Sequence, residues 1–427
     1  MAPWRPAFRR HDVKGVLNNP FFVRLWIAYL VSNSGTYIQS VGAAWLMLIL
    51  SGSHQMVALV HAAATIPIML FSIPAGYVAD RFDRKSVLIF AQLIMMSTTG
   101  LLSILVLCDL ITPALLLVFT FVLGSGMAFH SPIWNASFGD WVSQKDLPAA
   151  ITLQSLGNNL TRCLAPGLGG VIVSFAGAAL AFATNAMTFL AVVAALMKWP
   201  ERVSETGQGA RQFHKAVLGG FKFCIETRYV SHLLLRSFLF GIGSSGLLSL
   251  LPSVVRDQWQ GSSFTYGIGL CMFGVGAIGG ALSNQSLRSQ ISGESVVRIA
   301  SCGFIICNVA TALTTSLGTA ALGLVIGGTC WVWALTYFNI NVQMSSPRTL
   351  VGRVVSIYHL VLFGGLGIGS WIWSTVVLHQ DLPTTLLISC SAFAFIVCFG
   401  LIRPVPRSIL TNTEVDKPKT TAAALRS

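Results

Sequence analysis

Charged residues are scarce in this chain. Asp, Glu, Lys and Arg make up only 10% of its 427 residues, whereas they make up about a quarter of a typical soluble domain. Acidic residues number 14, hydrophobic residues reach 54%, and the mean hydropathy is +0.72. This balance excludes an ordinary soluble domain and predicts a membrane protein.

Patterns of catalysis and metal binding are also missing. The nine cysteines include no C-x-x-C pair, and the sequence has no H-E-x-x-H, no G-x-x-x-x-G-K-[ST] and no nucleophile elbow. Gly274-x-Gly276-x-x-Gly279 matches the dinucleotide fingerprint, but it lies inside an apolar stretch with no strand before it. We therefore expect no metal, no cofactor and no enzymatic activity, and cysteines that pack as small apolar side chains.

Apolar sequence, in contrast, is abundant. Twelve stretches are each long enough to cross a bilayer, which takes about 20 apolar residues. Backbone groups in lipid must be satisfied within their own segment, so these stretches are predicted to be helices. The predicted fold class is an all-α membrane protein with twelve transmembrane helices in two six-helix bundles. The spans lie near 22–50, 56–79, 86–107, 113–136, 149–173, 177–197, 231–255, 264–286, 296–315, 318–343, 354–378 and 384–402.

The basic residues predict how the chain lies in the membrane. The net charge is +13, and folding the chain back and forth brings nearly all of its 27 Lys and Arg to one face. Only Arg256 falls clearly in a loop on the opposite face, and only Arg162 lies deep inside a span. Because basic loops stay in the cytoplasm, we expect both termini there and a multi-pass protein of the cytoplasmic (inner) membrane. Charges spread in this way argue against a nucleic-acid partner, and residues 1–20 lack the apolar core of a removable signal peptide.

A long polar interruption divides the spans into six and six, which predicts two similar bundles joined by a cytoplasmic connector. In the connector, Phe213, Val217, Phe221 and Ile225 recur at four-residue steps. They predict an amphipathic helix that either lies on the inner leaflet or packs on the bundle. The predicted divisions are an N-terminal segment 1–20, a first bundle 21–197, the connector 198–230, a second bundle 231–403 and a tail 404–427.

Glycines crowd the eighth and eleventh spans. Gly276 and Gly280 have the small-xxx-small spacing that lets two helix backbones approach closely. We expect close helix contacts at these positions.

The loop between the second and third spans carries a charged signature, Gly76-Tyr77-Val78-Ala79-Asp80-Arg81-Phe82-Asp83-Arg84-Lys85. It resembles the loop signature of the major facilitator superfamily, G-x-x-x-D-[RK]-x-G-[RK]-[RK], with Asp83 in place of the middle glycine. For the loop taken alone, a short hairpin that merely follows the positive-inside bias is the alternative. The resemblance implies a charged latch between two bundles, and we assign this gating role to Gly76, Asp80, Arg81, Arg84, Lys85 and Arg353.

The fifth span contains Ala165-Pro166-Gly167-Leu168-Gly169-Gly170. This run is similar to the G-P-x-x-G-G element of exporters in the superfamily, with Ala165 in place of the first glycine. Proline removes a helix hydrogen bond and glycines permit a bend. We therefore expect a hinge that limits leak, formed by Pro166, Gly167, Gly169 and Gly170, with a kinked structural helix as the alternative.

Several further stretches resemble the enterobactin-exporter-like branch, which is also called the transmembrane secretion effector family. The resemblance covers nearly all of residues 18–405. It implies export of small molecules, siderophores or amphipathic drugs, usually driven by proton influx. The stretches are Phe129-His130-Ser131-Pro132, Asn158-Asn159-x-x-Arg162-x-x-Ala165-Pro166, Trp331-Val332-Trp333, Asn339-x-Asn341-x-Gln343, Gly352-Arg353-Val354 and Tyr358-His359-x-x-x-Phe363-Gly364-Gly365.

Arg162 is the strongest candidate for a functional residue. It lies roughly 20 Å along its span at helical rise, where an arginine costs at least ~2.5 kcal/mol unless it is paired or faces water. All 14 acids fall in loops, tails or span ends, so we expect no carboxylate partner inside the membrane. Either Arg162 is a structural donor to Asn158, Asn159 and carbonyls near Pro166, or it stands in a cavity and meets an anionic group of the cargo, which arginine favours.

Polar stripes on other spans are consistent with a central cavity. Polar side chains follow each other at four-residue steps on the first and tenth spans, and the resemblance implies that the first, fourth, seventh and tenth spans line the pathway. Hydrogen bonding between helices, without cargo, is the alternative. The predicted cavity residues are Arg162, Asn158, Asn33, Tyr37, Trp134, Asn135, Trp333, Tyr337 and Asn341.

Candidates for a proton site are few. Asp80 lies at the expected latch, and His61, His130 and His359 lie inside spans. A histidine titrates near neutral pH, although a histidine inside a span is more often a packing residue. We assign Asp80, His130 and His359 as proton sites.

Taken together, these features predict a monomeric secondary transporter. We expect it to export a small amphipathic, anionic, siderophore- or drug-like molecule by alternating access, coupled to the proton gradient. Its partners would be the small-molecule substrate and the lipid bilayer. An importer on the same scaffold is the first alternative, and a membrane-embedded enzyme or receptor is the second.

Overall fold

A computed structural model describes residues 15–199, 213–347 and 350–402. Within these ranges, nothing is stated of the side chains at 79, 80, 213–217, 285, 288 and 289. The predicted tail 404–427 and most of the N-terminal segment therefore lie outside the described residues, as does the side chain of Asp80. The long helices are α1 Pro20–Ser51, α2 His54–Arg81, α3 Arg84–Leu107, α4 Pro113–Ala136, α5 Leu147–Met197, α6 Phe213–Glu226, α7 Arg228–Ser253, α8 Ser263–Gln290, α9 Gly293–Leu313, α10 Leu317–Met344, α11 Val351–Val376 and α12 Leu382–Ile402.

The prediction of an all-helical membrane protein is confirmed. In the described ranges, ten helices are long and apolar enough to cross a membrane, namely α2–α5 and α7–α12. Helix α1 has 32 residues but carries polar residues along its middle, which lowers its hydropathy. The prediction of twelve spans counts α1 as well as two spans within α5, and it stays a prediction.

Helix α5 is too long to be one straight span. Its 51 residues would reach roughly 75 Å at 1.5 Å per residue, more than twice the thickness of a bilayer core. The helix is broken at Gly177, where φ is 76° and ψ is 174°. A side chain at this positive φ is strained, which is why glycine suits the break. The break divides α5 into two arms, close to the boundary predicted between the fifth and sixth spans.

The ends of several helices are set by residues that accept hydrogen bonds from free N–H groups. Asn19 Oδ1 accepts from the N–H groups of Phe21 and Phe22, both at 3.1 Å, at the start of α1. Asp83 caps α3 in the same way and accepts from the N–H of Ser86 at 2.8 Å. This cap explains why aspartate can stand where the superfamily signature has a glycine.

We call α1–α5 the first half and α7–α12 the second half. They meet along two seams, α2 against α11 and α5 against α8. Glycines bring the backbones together at α5 and α8: a Cβ at Gly267 would lie 2.9 Å from the Cα of Gly170, and one at Gly274 would overlap the backbone of Cys163. Along the other seam, Gly367 faces Ile66. Close packing between small residues, rather than a large polar interface, therefore joins the halves.

Further contacts join the halves at the face where α1 ends and α2 begins, which we call the outer face. Arg256 Nη1 donates to the carbonyl oxygen of Leu48 at 2.8 Å, and His54 Nε2 lies 3.5 Å from the Asp257 carboxylate. Arg256 and Asp257 belong to a short π-helical segment, Val254–Gln258, that continues α7. Arg256, the one basic residue predicted for this face, therefore ties the second half to the end of α1.

The opposite, inner face contains a buried ionic cluster that the sequence analysis missed. Arg236 on α7 is 0% exposed and pairs with Glu294 on α9, which is 8% exposed. Arg298 donates to the other oxygen of Glu294 at 3.2 Å and to the carbonyl of Gly400 at 3.1 Å. The expectation placed only Arg162 deep inside a span, and Arg236 lies nearer the inner face, but it is also fully buried among the helices. Glu294 does lie at a helix end, as expected, but it is buried because two arginines satisfy its charge.

The connector ends in helix α6, whose first residue, Phe213, was predicted to begin the apolar stripe. Phe221 packs partly buried against the core, and Cys224 is buried. Burial raises the pKa of the Cys224 thiol to about 11, so it is mostly protonated at neutral pH. Ile225, in contrast, is 74% exposed. One side of α6 therefore packs on the second half, while the predicted stripe does not lie wholly against it.

Candidate substrate cavity

A cavity of about 450 Å³ lies between the two halves. Its walls differ in chemistry. The second half contributes mostly apolar side chains, and its polar groups in the lining are the hydroxyls of Ser249 and Tyr266 and the indole N–H of Trp331. The first half contributes most of the polar ones. These two sets include, on the first half, Thr36, Tyr37, Gln39, Ser40, Arg162 and Asn185, and on the second half Leu248, Leu270, Phe273, Trp331, Phe363 and Leu366.

Arg162 faces this cavity from the middle of the first arm of α5. Its Nε donates to the Tyr37 hydroxyl of α1 at 3.2 Å. In the described parts of the chain, no carboxylate forms an ion pair with Arg162, and no Asp or Glu lines the cavity. A guanidinium has five N–H donors, so the bond to Tyr37 leaves donors for a bound molecule. The hydrogen bond to Tyr37 differs from the structural bonds to Asn158, Asn159 and nearby carbonyls that were the alternative.

A polar network backs the cavity wall. The Gln39 Oε1 atom accepts hydrogen bonds from the Asn185 side-chain amide and from the Thr99 hydroxyl, the latter at 3.2 Å. These residues join α1, α3 and the second arm of α5. Gln39 and Asn185 line the cavity but were absent from the predicted site. A polar amide within an otherwise apolar run was the signal that could have identified Asn185.

Asn33 and Asn158, predicted for the cavity, do not line it. Asn33 Nδ2 donates to the Thr161 hydroxyl at 2.5 Å, which braces α1 against α5 one residue from Arg162. The Oδ1 atom of Asn158 is buried and has no hydrogen-bond partner in the described chain.

The predicted residues of α4 and α10 also lie outside the cavity lining. Trp134 is buried in an aromatic cluster, with its ring 4.8 Å from Tyr29 and 4.7 Å from Trp141, and Asn135 is exposed at the end of α4. The α10 residues bond to neighbouring helices: Trp333 Nε1 donates to Ser283 at 3.1 Å, Tyr337 is buried, and Asn341 Oδ1 accepts from Tyr229 at 2.9 Å.

The cationic residues of the loop signature bond within the first half. Arg84 donates to the Asp140 carboxylate and to the carbonyl of Ala136, both at 2.9 Å, and Lys85 donates to the carbonyl of Trp199 at 2.8 Å. Arg81 donates to the Tyr77 hydroxyl at 2.8 Å. The signature therefore joins the start of α3 to the ends of α4 and α5, whereas the bond of Arg81 stays within α2.

Two other predicted gating residues lie towards the second half. A Cβ at Gly76 would lie 3.8 Å from Ser356 Oγ on α11. Arg353, also on α11, lies beside Gly220 of α6. A latch between the halves stays a prediction, because the side chain of Asp80 is outside the description.

The predicted hinge residues form contacts at both sides of α5. A Cβ at Gly169 would lie 2.9 Å from the Cα of Ile38 on α1, and one at Gly170 would lie 2.7 Å from the Ser263 carbonyl on α8. Gly167 faces the Cys271 thiol, and Pro166 lines the cavity. These residues let α5 pack closely on helices of both halves. A hinge motion at this position stays a prediction.

The histidines differ in their surroundings. His130 is buried in the aromatic cluster, 5.3 Å from the Trp134 ring, and His359 packs edge-on to Phe363 with centroids 6.2 Å apart. His61 alone among these three lines the cavity, where its Nδ1 bonds to Ser370 Oγ at 2.8 Å. The predicted proton sites, Asp80, His130 and His359, did not include it.

Comparisons with known proteins agree with this architecture. Residues 15–421 match the family model described as transmembrane secretion effector. The chain is 23% identical to the staphyloferrin A transporter of Staphylococcus aureus over 60% of its own length and 64% of that protein. It is also 23% identical to the multidrug efflux pump Tap of Mycolicibacterium fortuitum, over 77% and 82% of the two chains, and 20% identical to macrolide efflux protein A of Streptococcus pyogenes, over 61% and 65%. For the staphyloferrin A transporter and macrolide efflux protein A, the matched region covers slightly less than two thirds of the relative's length.

Solved structures show the same fold at low identity. A D-xylose–proton symporter superimposes with a TM-score of 0.73 at 14% identity, over 92% of this chain and 99% of that one. The nucleoside transporter NupG gives a TM-score of 0.70 at 15% identity, over 90% and 98%. The family match covers more than half of the sequence and leads to one conclusion: the chain is a multi-pass membrane protein that belongs to the transmembrane secretion effector family of the major facilitator superfamily.

Proposed function

We propose that this protein exports a small amphipathic molecule with an acidic group across the cytoplasmic membrane. It acts as a monomer by alternating access of its two halves, and the proton gradient drives the cycle. The observation that carries the proposal is Arg162, which faces a cavity with a polar side and an apolar side.

The chemistry of the cavity supports an amphipathic, acidic cargo. Apolar side chains such as Phe273, Trp331 and Phe363 favour an apolar surface, as in most small-molecule sites. A guanidinium binds carboxylate or phosphate through a planar pair of N–H groups, and its charge strengthens these bonds. Because Arg162 has no acidic partner in the described chain, an acid on the cargo would remove the cost of an unpaired charge there.

Two of the named relatives support export, because they are efflux proteins, one for macrolides and one for multiple drugs. A third relative is the staphyloferrin A transporter, which supports a small-molecule cargo. These relatives are only 20% to 23% identical to this chain, so its cargo need not be the same as theirs.

The contacts between the halves support alternating access. The seams α2–α11 and α5–α8 depend on small residues that pack backbone against backbone, as at Gly267 and Gly170. At the outer face, the bonds from Arg256 to Leu48 and from His54 to Asp257 join the halves near the cavity. Breaking these polar contacts while the seams rock would open the cavity to the outside.

Transport in inverted membrane vesicles tests the proposal. The probes are 6-methoxy-2-naphthoate and its neutral analogue 6-methoxy-2-naphthalenemethanol, and the control vesicles come from cells without the protein. Export predicts faster accumulation of the acid in vesicles that contain the protein, and proton coupling predicts a further increase when the vesicle interior is acidified. Accumulation equal to that of the control vesicles would overturn the proposal. Faster loss of preloaded acid from vesicles with an acidified interior, relative to the control vesicles, would indicate import by proton symport instead.

A further inference from the structure

His61 connects the cavity to the contact between the two halves. It lies on α2 and lines the cavity, while its Nδ1 is 2.8 Å from the hydroxyl oxygen of Ser370 on α11. Ser370 is fully buried. The imidazole is therefore held in one place by a residue of the other half, and its position depends on the α2–α11 seam.

The hydrogen bonds of Ser370 assign the tautomer of His61. The Ser370 hydroxyl donates to the carbonyl oxygen of Leu366 at 2.8 Å. A carbonyl oxygen can only accept and a hydroxyl has one proton to donate, so both contacts are hydrogen bonds at once only when Ser370 donates to Leu366 and accepts from His61. It follows that Nδ1 of His61 carries the hydrogen and that Nε2 of the neutral ring carries the free lone pair.

Nε2 is left as an acceptor at the cavity. Within the described residues, the His61 ring forms one hydrogen bond, from Nδ1 to Ser370. The backbone of His61 is satisfied separately, because its carbonyl oxygen accepts from the Thr65 hydroxyl at 2.8 Å. Nε2 can therefore accept a hydrogen bond from a donor on a molecule that enters the cavity.

The ionisable groups around His61 are few. Tyr37 of α1, Arg162 of α5 and Tyr266 of α8 line the same cavity. The other helices that pack on α2 carry ionisable groups nearer the two faces of the protein. Towards the inner face these groups are His130 on α4, Arg84 and Lys85 on α3, His232 and Arg236 on α7, and Arg353, Tyr358 and His359 on α11. At the outer face they are Arg256 and Asp257, which follow α7.

We propose that His61 is a specificity-determining residue whose Nε2 accepts a hydrogen bond from the transported molecule. The cavity would then select a cargo with a hydroxyl or amide N–H donor in addition to the acidic group bound by Arg162. Ser370 is the positioning residue that keeps the acceptor on Nε2. The inference rests on the proposed function, because the cargo must occupy this cavity. A site built to bond a donor rejects the analogue that lacks it.

Binding of two matched acids to the purified full-length protein tests the inference. The probes are 6-hydroxy-2-naphthoate and 6-methoxy-2-naphthoate, which share the acid and the ring but differ in the donor, and fluorescence anisotropy gives each Kd. The wild type is expected to bind the hydroxy acid about 3- to 10-fold more tightly, the effect of one net hydrogen bond. His61→Leu is expected to bring the ratio of the two Kd values to about 1, whereas His61→Gln, which keeps an acceptor, retains part of the preference.

Two further arms separate recognition from structure. Ser370→Ala is expected to reduce the preference less than His61→Leu does, because it frees the ring without removing it. His379→Gln, in the exposed turn after α11, is the control and keeps the full preference.

The outcomes distinguish the inference from the proposed function. If the wild type binds neither acid, the proposed anion cavity fails, and the inference fails with it. If the wild type binds both acids with equal Kd, or if His61→Leu keeps the wild-type preference, only the role of His61 is overturned.

Discussion

Arg162 and Arg236 both lie among the apolar helices of this protein, and their surroundings give them different roles. Arg236 is fully buried and pairs with Glu294, to which Arg298 also donates. Arg162 faces the cavity, where its Nε donates to a tyrosine hydroxyl. A buried cation with a carboxylate partner stabilises one arrangement of helices, whereas a cation at a cavity can bind a ligand.

The role of Glu294 can be tested through stability. Glu294→Gln is expected to lower the free energy of unfolding by about 3–5 kcal/mol, because it removes the charge partner of a buried arginine. Thermal unfolding in detergent would detect this as a clear fall in Tm. Glu226→Gln is the control, since its pairing with Lys222 is largely exposed and such pairs contribute little. Equal Tm values for the two variants would contradict the structural role of the cluster.

At the level of single residues, the sequence predicted part of the site. Arg162 was identified because burying a cation inside a span costs free energy unless the cation is paired or faces water. Tyr37 was identified because it belongs to a polar stripe inside a span. Both residues line the cavity. Trp333 was chosen by the same periodicity and Trp134 by its place on the fourth span, yet both pack outside the cavity lining. Periodicity gives the face of a helix, but not which neighbour covers that face. His61 and Gln39 line the cavity because helices of both halves meet there. A pattern within a single helix cannot predict which helices meet.

Among the helices, glycines define how closely neighbours pack. A side-chain carbon at Gly276 or Gly280 of α8 would overlap backbone atoms of α10, at Val325 and Thr329. The expected close contact at this small-xxx-small pair is therefore present. The dinucleotide-like run packs against α5 at Gly274 and against α10 at Gly276.

Substitutions within this run separate packing from helix propensity. Gly276→Ala is expected to destabilise the protein by at least about 1–3 kcal/mol, because the new methyl group overlaps the Val325 carbonyl and the helices must separate. Gly279→Ala is expected to be tolerated, since its Cβ would lie 3.9 Å from Thr329 Oγ1. The midpoint of thermal unfolding in detergent compares the two. A larger loss for Gly279→Ala than for Gly276→Ala would contradict the contact between α8 and α10.

The break in α5 shows how element boundaries depend on more than hydropathy. Both arms are apolar, so hydropathy runs through residues 147–197 without a strong interruption, and spans were separated there mainly by length. Gly177 supplies the positive φ that redirects the chain. Its neighbours Ala176 and Ala178 give no polar turn signal, which is why the location of the break could be predicted only approximately.

At the scale of the whole molecule, the all-helical membrane fold could be predicted well from the sequence. This is because a segment that crosses lipid must be long and apolar and must satisfy its backbone hydrogen bonds internally. The second half has its own ionic cluster at Arg236, and the first half has its own at Arg84 and Asp140. These clusters depend on contacts between distant segments, so the sequence did not predict them as pairs.

Orientation in the membrane can be tested with a native cysteine. Cys108 follows α3 and is exposed in the loop of the outer face. If that face is extracytoplasmic, a membrane-impermeant maleimide should label Cys108 in intact cells, and Cys108→Ala should remove the label. Phe82→Cys, in the exposed turn of the inner face, should be labelled in inverted vesicles instead. Cys224 should contribute little there, because it is buried and its raised pKa keeps the thiol protonated. The reverse pattern would contradict the predicted orientation.

We propose that Arg162 binds the acidic group of the cargo. The initial rate of transport in inverted vesicles tests this binding. The rates of 6-methoxy-2-naphthoate and its neutral alcohol would be compared in the wild type, Arg162→Lys and Arg162→Gln. The account predicts that the acid-to-neutral ratio falls by about 10-fold or more in Arg162→Gln, the effect of losing a charged hydrogen bond, and by less in Arg162→Lys, which keeps the charge. An unchanged ratio in both variants, with normal amounts of protein in the membrane, would contradict the claim.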